Sequence, residues 1–319
     1  MRFDIVINEA SKTGEGATRY DEVRRILRES DIEYRVHRTL YPGHATVIAK
    51  ELSQSGGEPV NIIVVGGDGT LNEIVNGIKD FETVRIGLIP NGSANDFAAG
   101  SGISSDVKKE LKAITQNADT PRRVDLGEVS YREGTKVKKR LFCISSGLGL
   151  DALVCKKAGA SKLKNVMNKL GIGKFTYGLL TVISLFSMET TDAVIEGVLE
   201  DDKKMPREEI KNVIFSAAMN IRCEGGGVPM APYAKATDGK LTLCTASGIP
   251  KWRTFLCFPF LLAGKQHLFK GFSARRFTEL KIRFSKPFTL HADGESCGEV
   301  NSVVFKALPG KLQILNNIR

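Results

Sequence analysis

The sequence predicts an α/β protein in two parts: a doubly wound parallel layer over the first ~125 residues, followed by an antiparallel β-sandwich or barrel. Three observations carry this expectation. Strand-like and helix-like patterns alternate up to Asp125, and period-two segments around turn-like stretches take over after it. The length of 319 residues, with 42% hydrophobic and 26% charged side chains, suits about two domains with a full core. These figures exclude a staple-dependent mini-protein, a disordered polypeptide and a fibrous repeat.

Taken in order, FDIVIN from Phe3 reads as a buried strand, and Tyr20, Val23, Ile26 and Leu27 recur at helical spacing behind it. EYRVHR leads into a helix carrying Ala45, Ile48 and Leu52, and VNIIVV into one carrying Leu71, Ile74, Val75 and Ile78. VRIGLIP then leads into a short helix near Phe97. After Asp125, LGEVSY and KRLFCIS flank a turn-like REGTKVK, DAVIEGVLE and a strand near Val213 flank DDKKMPRE, and TELKIRF alternates. Two helical stretches interrupt this half, roughly Ala160 to Met188 and Pro250 to Phe269. VVFKALPGKLQIL reads as a strand pair that could close either part.

Lys plus Arg exceed Asp plus Glu by 46 − 36 = 10, which suggests an anionic partner. MRFDIVIN has no secretory h-region, and the longest apolar stretch, Phe255 to Ala263, contains Pro259 and falls short of the ~20 residues of a spanning helix. The six cysteines (Cys143, Cys155, Cys223, Cys244, Cys257, Cys297) form no zinc-ligand spacing and are expected to be reduced. None of the four histidines (His37, His44, His267, His291) pairs at i, i+4 with another, which argues against a His-based metal site or triad.

Gly66-Gly67-Asp68-Gly69-Thr70 follows a strand and opens a helix, a turn in which backbone N–H groups and the helix dipole can receive a phosphate. A bare Gly-Gly/Asp-Gly turn is the competing reading. Asp68 would repel the phosphate unless a cation or a hydrogen-bond donor intervenes, and it is expected to place the nucleotide and metal rather than to support the fold. The next strand ends in Asn91-Gly92-Ser93-Ala94-Asn95-Asp96, so two polar, glycine-rich βα loops meet at the carboxyl edge of one sheet, where such folds bind ligands. G-x-x-x-x-G-K-[ST] is absent, which excludes a P-loop.

GGDGTLNE (Gly66 to Glu73) followed by PNGSANDFA (Pro90 to Ala98) resembles the diacylglycerol kinase catalytic-domain family of soluble bacterial lipid kinases, relatives of the sphingosine and ceramide kinases. The resemblance continues through VDLG (Val124 to Gly127), FCISSGLGLDA (Phe142 to Ala152), GGGVPMAPYAKATDGKL (Gly225 to Leu241) and HADGE (His291 to Glu295). It implies a nucleotide-binding domain related to NAD kinases and phosphofructokinases over residues 1–125, to which 303–319 return. A β-sandwich lipid-substrate domain over 126–302 and an active site in the cleft between the two are also implied. The first motif departs from the family at Asn8-Glu9 and Lys12, with Gly14 and Gly16 displaced; Ile144 replaces an Asn, and Thr237 the first Asp of a DDG.

By the same resemblance the protein transfers the γ-phosphoryl of ATP to a lipid hydroxyl, with diacylglycerol as default acceptor. ATP contacts would come from Asn8, Ser11, Lys12, Thr39, Gly66, Gly67, Asp68, Gly69, Thr70, Leu71, Asn72 and Ser93. Mg²⁺ would be held by the Asp238 carboxylate and the backbone carbonyl oxygens of Lys235 and Lys240; the rival reading of Asp238 is an Asp-Gly turn. Glu295 would be the proton acceptor, with Asp293 next and Asp68 behind it; a type I′ turn is the rival for Asp-Gly here. Asp293 and Glu295 would share one face if the strand FTLH continued through Gly294.

The implied partners are ATP, a lipid and an anionic membrane surface, without nucleic acid, in a cytoplasmic protein peripheral to the inner face of the membrane; a homodimer is compatible with this. Lys156, Lys157, Lys162, Lys164, Lys169 and Lys174 beside Leu163, Val166, Met167 and Leu170 could lie on such a surface, or could be the solvated side of a core helix. Trp252, Phe255, Phe258, Phe260 and Phe269 could line an acyl-chain pocket, although aromatics at that spacing more often form core. The rival functions are a NAD kinase-type enzyme, which shares GGDGT, a kinase of a sphingoid, ceramide or polyisoprenol lipid, a dinucleotide binder using Gly147-Leu148-Gly149-Leu150-Asp151-Ala152, and a non-catalytic lipid-binding relative.

Overall fold

Strands rich in Val, Ile and Leu with no polar face must be covered on both sides, and that requirement organises the first unit. The computed structural model describes the protein apart from residues 1, 10–15, 55–57, 161–172, 200, 202 and 319, and gives no side chains for 16, 158–160 and 173–177. It resolves into two units, Met1–Leu126 with Pro309–Arg319, and Gly127–Leu308.

In the first unit β1 (Arg2–Ile7), β2 (Glu33–Arg38), β3 (Val60–Gly66) and β4 (Val84–Pro90) alternate with α1 (Gly16–Glu29), α2 (His44–Leu52), α3 (Asp68–Gly77) and α4 (Asp96–Ser101). All pairs are parallel, in the order β2-β1-β3-β4. The reversal between β1 and β3 is a topological switch point, the place where such sheets leave a crevice at their carboxyl ends. A further helix, α5 (Val107–Gln116), is started by Asp106, whose side chain accepts the Lys109 N–H at 3.0 Å. Phe3, Ile5, Ile63, Val65, Val23, Leu27, Leu111 and Ile114 pack into one core under α1 and α5. The C-terminal segment adds a parallel strand: Gln313 and Ile314 lie beside Arg85 and Ile86. Asn316 fixes it there, accepting the Leu88 N–H at 2.7 Å and donating to Leu88 O at 2.9 Å and Glu110 Oε2 at 2.8 Å.

β5 (Arg122–Glu133) leads into the second unit. There β6 (Lys136–Phe142), β7 (Ser145–Gly149), α6 (Leu150–Ala160), α7 (Gly173–Ser187), β8 (Thr191–Leu199), β9 (Lys204–Met219) and β10 (Leu241–Ser247) follow one another. Two short helices, α8 (Lys251–Leu256) and α9 (Phe258–Leu262), and a 3₁₀ turn at Gln266–Leu268 precede β11 (Phe272–Ala292) and β12 (Glu295–Ile314). Its pairings are antiparallel, and β7 and β10 each pair with both β9 and β11, so the strands close around Phe142, Leu148, Ile214, Phe277, Leu280 and Phe305.

Two expectations are corrected. The first helix of this half starts at Leu150, before Ala160, because Gly149 at φ 84° turns the backbone out of β7. VVFKALPGKLQIL lies within one strand rather than a strand pair: Gly310 takes φ 56° without ending it, and its N–H is satisfied by Asp125 Oδ1 at 2.7 Å.

Candidate active site

At the carboxyl edge of the first sheet, the loops after β3 and β4 touch backbone to backbone. A Cβ on Gly67 would lie 2.7 Å from Gly92 Cα, and one on Gly92 would lie 2.5 Å from Gly67 Cα. The Asn91 N–H donates to Gly66 O at 2.8 Å, and Asn95, held at φ 54°, closes the second loop on itself by accepting the Gly92 N–H at 2.6 Å. Asp68 opens α3, and its two oxygens accept the Asp96 and Phe97 N–H groups at 3.0 and 3.1 Å. Asp68 therefore caps α4 and ties the two loops together, so it also supports the fold, contrary to the expectation for it. Glu73 of the same motif caps α2, accepting from the Gly43 and Ala45 N–H groups at 2.9 and 3.2 Å.

The switch point is bridged by Asn8, whose Nδ2 donates to Thr70 Oγ1 at 3.4 Å, and Thr39 bonds Ile7 O through its N–H at 2.9 Å. The structure thus brings Asn8, Thr39, Gly66, Gly67, Asp68, Gly69, Thr70 and Ser93 to one sheet edge, with Gly69 and Ser93 exposed. Leu71 and Asn72 differ: both side chains are fully buried and face the core, and the Leu71 N–H is spent on Gly67 O. Ser11 and Lys12 lie outside the described residues, as do Lys162, Lys164 and Lys169 with Leu163, Val166, Met167 and Leu170; for Lys174 only the backbone is described.

In the second unit, Asp293 and Gly294 have φ of 47° and 83°, joining β11 to β12 through the two left-handed residues that a type I′ turn demands. The strand therefore stops at Ala292, and Asp293 and Glu295 do not share a strand face. The Asp293 carboxylate accepts the Cys143, Ile144 and Ser145 N–H groups at 2.7, 2.8 and 3.0 Å. Glu295, across the turn from Ala292, is exposed, and its carboxylate makes no hydrogen bond or ion pair among the described residues.

Behind the turn lies a group that spacing could not reveal. His291 is fully buried; its Nε2 is 2.8 Å from Asp151 Oδ2 and 3.4 Å from Glu224 Oε1, and its Nδ1 accepts the Gly294 N–H at 3.1 Å. Gly147 leaves room for this contact, since a Cβ there would fall 1.7 Å from Asp151 Oδ2. Burial alone would lower the His291 pKa, but Asp151 and Glu224, with Asp293 beyond them, push it up to about 9. Full charges outweigh the Gly294 amide dipole, which favours a lone pair on Nδ1. Cys155, one helical turn from Asp151, brings four donors within 4.8 Å. The Nε2 edge, where a metal would sit, already faces Asp151 Oδ2 at 2.8 Å with the proton that the carboxylates hold on the ring, so this set fits a buried, charge-paired histidine. The only sequence signals for it were Asp151 and Cys155 at i, i+4 and a His just before DGE. The glycines of GLGLDA are likewise explained by packing, Gly147 against Asp151 and Gly149 against Ile214 O and Phe288.

The expected magnesium set does not fit a resident ion. Asp238 Oδ1 accepts the Lys240 N–H at 3.1 Å, and Oδ2 is paired with Arg276 Nη2 at 2.5 Å, so a guanidinium already neutralises the one carboxylate left beside Thr237. The geometry is that of an Asp-Gly turn, with Gly239 at φ 73°.

Comparison with known proteins agrees with this architecture. Residues 2–129 match the model of the diacylglycerol kinase catalytic domain, and residues 144–316 that of the YegS C-terminal NAD kinase β-sandwich-like domain. YtlR of Bacillus subtilis (strain 168), named as a lipid kinase, is 27% identical over 298 residues, 92% of this chain and 93% of that protein. A crystal structure of a Bacillus anthracis str. Sterne protein superposes with a TM-score of 0.71 at 20% identity, covering 99% of this chain and 97% of that one. Yeast NADH kinase complexed with NADH shares the fold at a TM-score of 0.54 and 13% identity, covering 98% and 82%. With both halves matched in order, and with the glycine-rich edge and the DGE turn built as described, the chain belongs to the diacylglycerol kinase catalytic-domain family of lipid kinases.

Proposed function

We propose that this protein transfers the γ-phosphoryl group of ATP, taken up as its magnesium complex, to the hydroxyl of a membrane lipid, with diacylglycerol as acceptor. In this reading the first unit binds the nucleotide at its switch point, with phosphate over the amino end of α3, where Gly69 carries no side chain to obstruct it. The second unit supplies Glu295 as proton acceptor. As the acceptor O–H bond breaks, its oxygen bonds to the γ-phosphorus, the bond to the bridging oxygen breaks, and ADP departs with that electron pair.

The observation that carries this reading is the difference between three carboxylates. Asp68 and Asp293 are committed to backbone amides, whereas Glu295 stands exposed at the start of β12, available to a hydroxyl. In this reading the lipid is met at the bilayer surface from the cytoplasmic side; among the described residues no helix is long and apolar enough to cross a membrane.

The test is an assay of the purified protein with labelled ATP and a panel of diacylglycerol, ceramide, sphingoid, polyisoprenol and NAD acceptors. Label in diacylglycerol above all others is expected. Label in NAD ahead of every lipid would overturn the reading.

A further inference from the structure

The longest apolar stretch of the sequence, whose aromatics could line an acyl-chain pocket or form core, is largely on the surface. α9 has no buried residue, and α8 buries only Thr254. Trp252, Leu256 and Leu268 are 55%, 55% and 64% exposed, and Phe186, Phe255 and Leu262 are exposed beside them. They lie on elements held together by direct contacts. The Phe186 and Phe255 rings lie 6.5 Å apart, and Lys251 Nζ donates to Phe186 O at 3.3 Å and also to Met188 O, stapling α8 to the end of α7. The Phe260 and Phe269 rings, 4.6 Å apart and edge to face, hold the 3₁₀ turn against α9. Contiguous exposed apolar side chains of this size mark an interaction surface.

The charge around this surface selects the partner. Residues 250–271 contain Lys251, Arg253, Lys265 and Lys270 and no acidic residue. None of these four meets a carboxylate among the described residues, and Arg253 lies over the Trp252 ring at 5.4 Å. A second copy packed about a two-fold axis would set these cations against their like. An anionic bilayer satisfies both features at once, with leucine and phenylalanine entering the acyl region, tryptophan at the headgroup boundary and the cations on the phosphates.

We propose that the face formed by α7, α8, α9 and the 3₁₀ turn docks this protein onto an anionic phospholipid bilayer. Its purpose rests on the lipid-acceptor reading above, although its physical basis does not.

Trp252 is the protein's one tryptophan, so the full-length protein reports on its own docking. With phosphatidylcholine vesicles containing phosphatidylglycerol, its emission is expected to shift to the blue and to be quenched by lipids brominated on the acyl chains; added salt or omission of phosphatidylglycerol should weaken both effects. Leu256→Glu with Leu262→Glu should lower vesicle affinity by more than about tenfold. The melting temperature and the phosphorylation of a short-chain, water-soluble diacylglycerol should stay unchanged. An emission spectrum indifferent to the vesicles overturns the proposal, as does unaltered vesicle binding by the double variant. A dimer in sedimentation equilibrium that the double variant breaks overturns it too, by showing the face to be a contact between copies. Docking without transfer to any lipid would instead sink the functional reading and leave this one standing.

Discussion

Asp293 satisfies three backbone N–H groups with two oxygens, so its loss is a structural event before it is a chemical one. Asparagine there keeps one acceptor oxygen and turns an NH₂ group toward the remaining amides, and a buried donor left unmet costs ~1–3 kcal/mol. Asp293→Asn should therefore lower the melting temperature by several degrees. Glu295→Gln touches nothing structural, and should lower kcat by ~10²- to 10⁴-fold with the melting transition and the ATP KM little changed. Kinetics and calorimetry on the two variants separate the roles. A kinetically silent Glu295→Gln beside a crippled but stable Asp293→Asn would exchange them. The sequence pointed to the acids of DGE but not to which one is committed, because the commitment of Asp293 is to a peptide group 150 positions away.

At the level of elements, the contact between the loops after β3 and β4 separates two kinds of glycine within the same pair of motifs. Gly92 is there because backbone packs on backbone; a Cβ would press on Gly67 Cα at 2.5 Å, and overpacking of this kind costs ~1–3 kcal/mol. A Cβ on Gly69 would meet nothing within 4 Å, and Gly69 lies in the first turn of α3, where alanine is the better helix former. Gly92→Ala should lower the melting temperature. Gly69→Ala should leave it unchanged or raise it slightly while raising the ATP KM, because the added methyl occupies the approach to the helix end. A normal ATP KM for Gly69→Ala would remove the phosphate from that position. The βα rhythm of this unit was legible because a buried parallel sheet imposes long apolar runs on its strands and 3.6-residue periodicity on its helices. The second unit was less so. β12 passes through a Pro-Gly pair that reads as a turn, and the apolar segment at α8 and α9 carries no local mark distinguishing an exposed aromatic from a buried one.

Stability of the whole molecule should carry the signature of the one buried histidine, since His291 joins three distant stretches of the second unit through Asp151, Glu224 and the DGE turn. Its pKa is raised in the folded state, from 6.5 to about 9, by carboxylates that more than offset its burial. A raised pKa means that the folded state binds the proton more tightly than the unfolded state does. The stabilisation is therefore complete below the unfolded pKa near 6.5 and is lost as pH climbs through the folded pKa near 9. Its size is on the order of 3 kcal/mol at most, because the same carboxylates bear a desolvation cost of their own. Between pH 6 and pH 9 the melting temperature should fall by several degrees. In Asp151→Asn, which removes the nearest charge and keeps the side-chain shape, the profile should start lower and run flatter over that interval. Parallel profiles for the wild type and this variant would mean that Asp151 does not hold the proton on His291. A wild-type profile rising with pH would mean that burial prevails and the ring is neutral throughout, leaving the Gly294 N–H bond to Nδ1 as its main structural contribution.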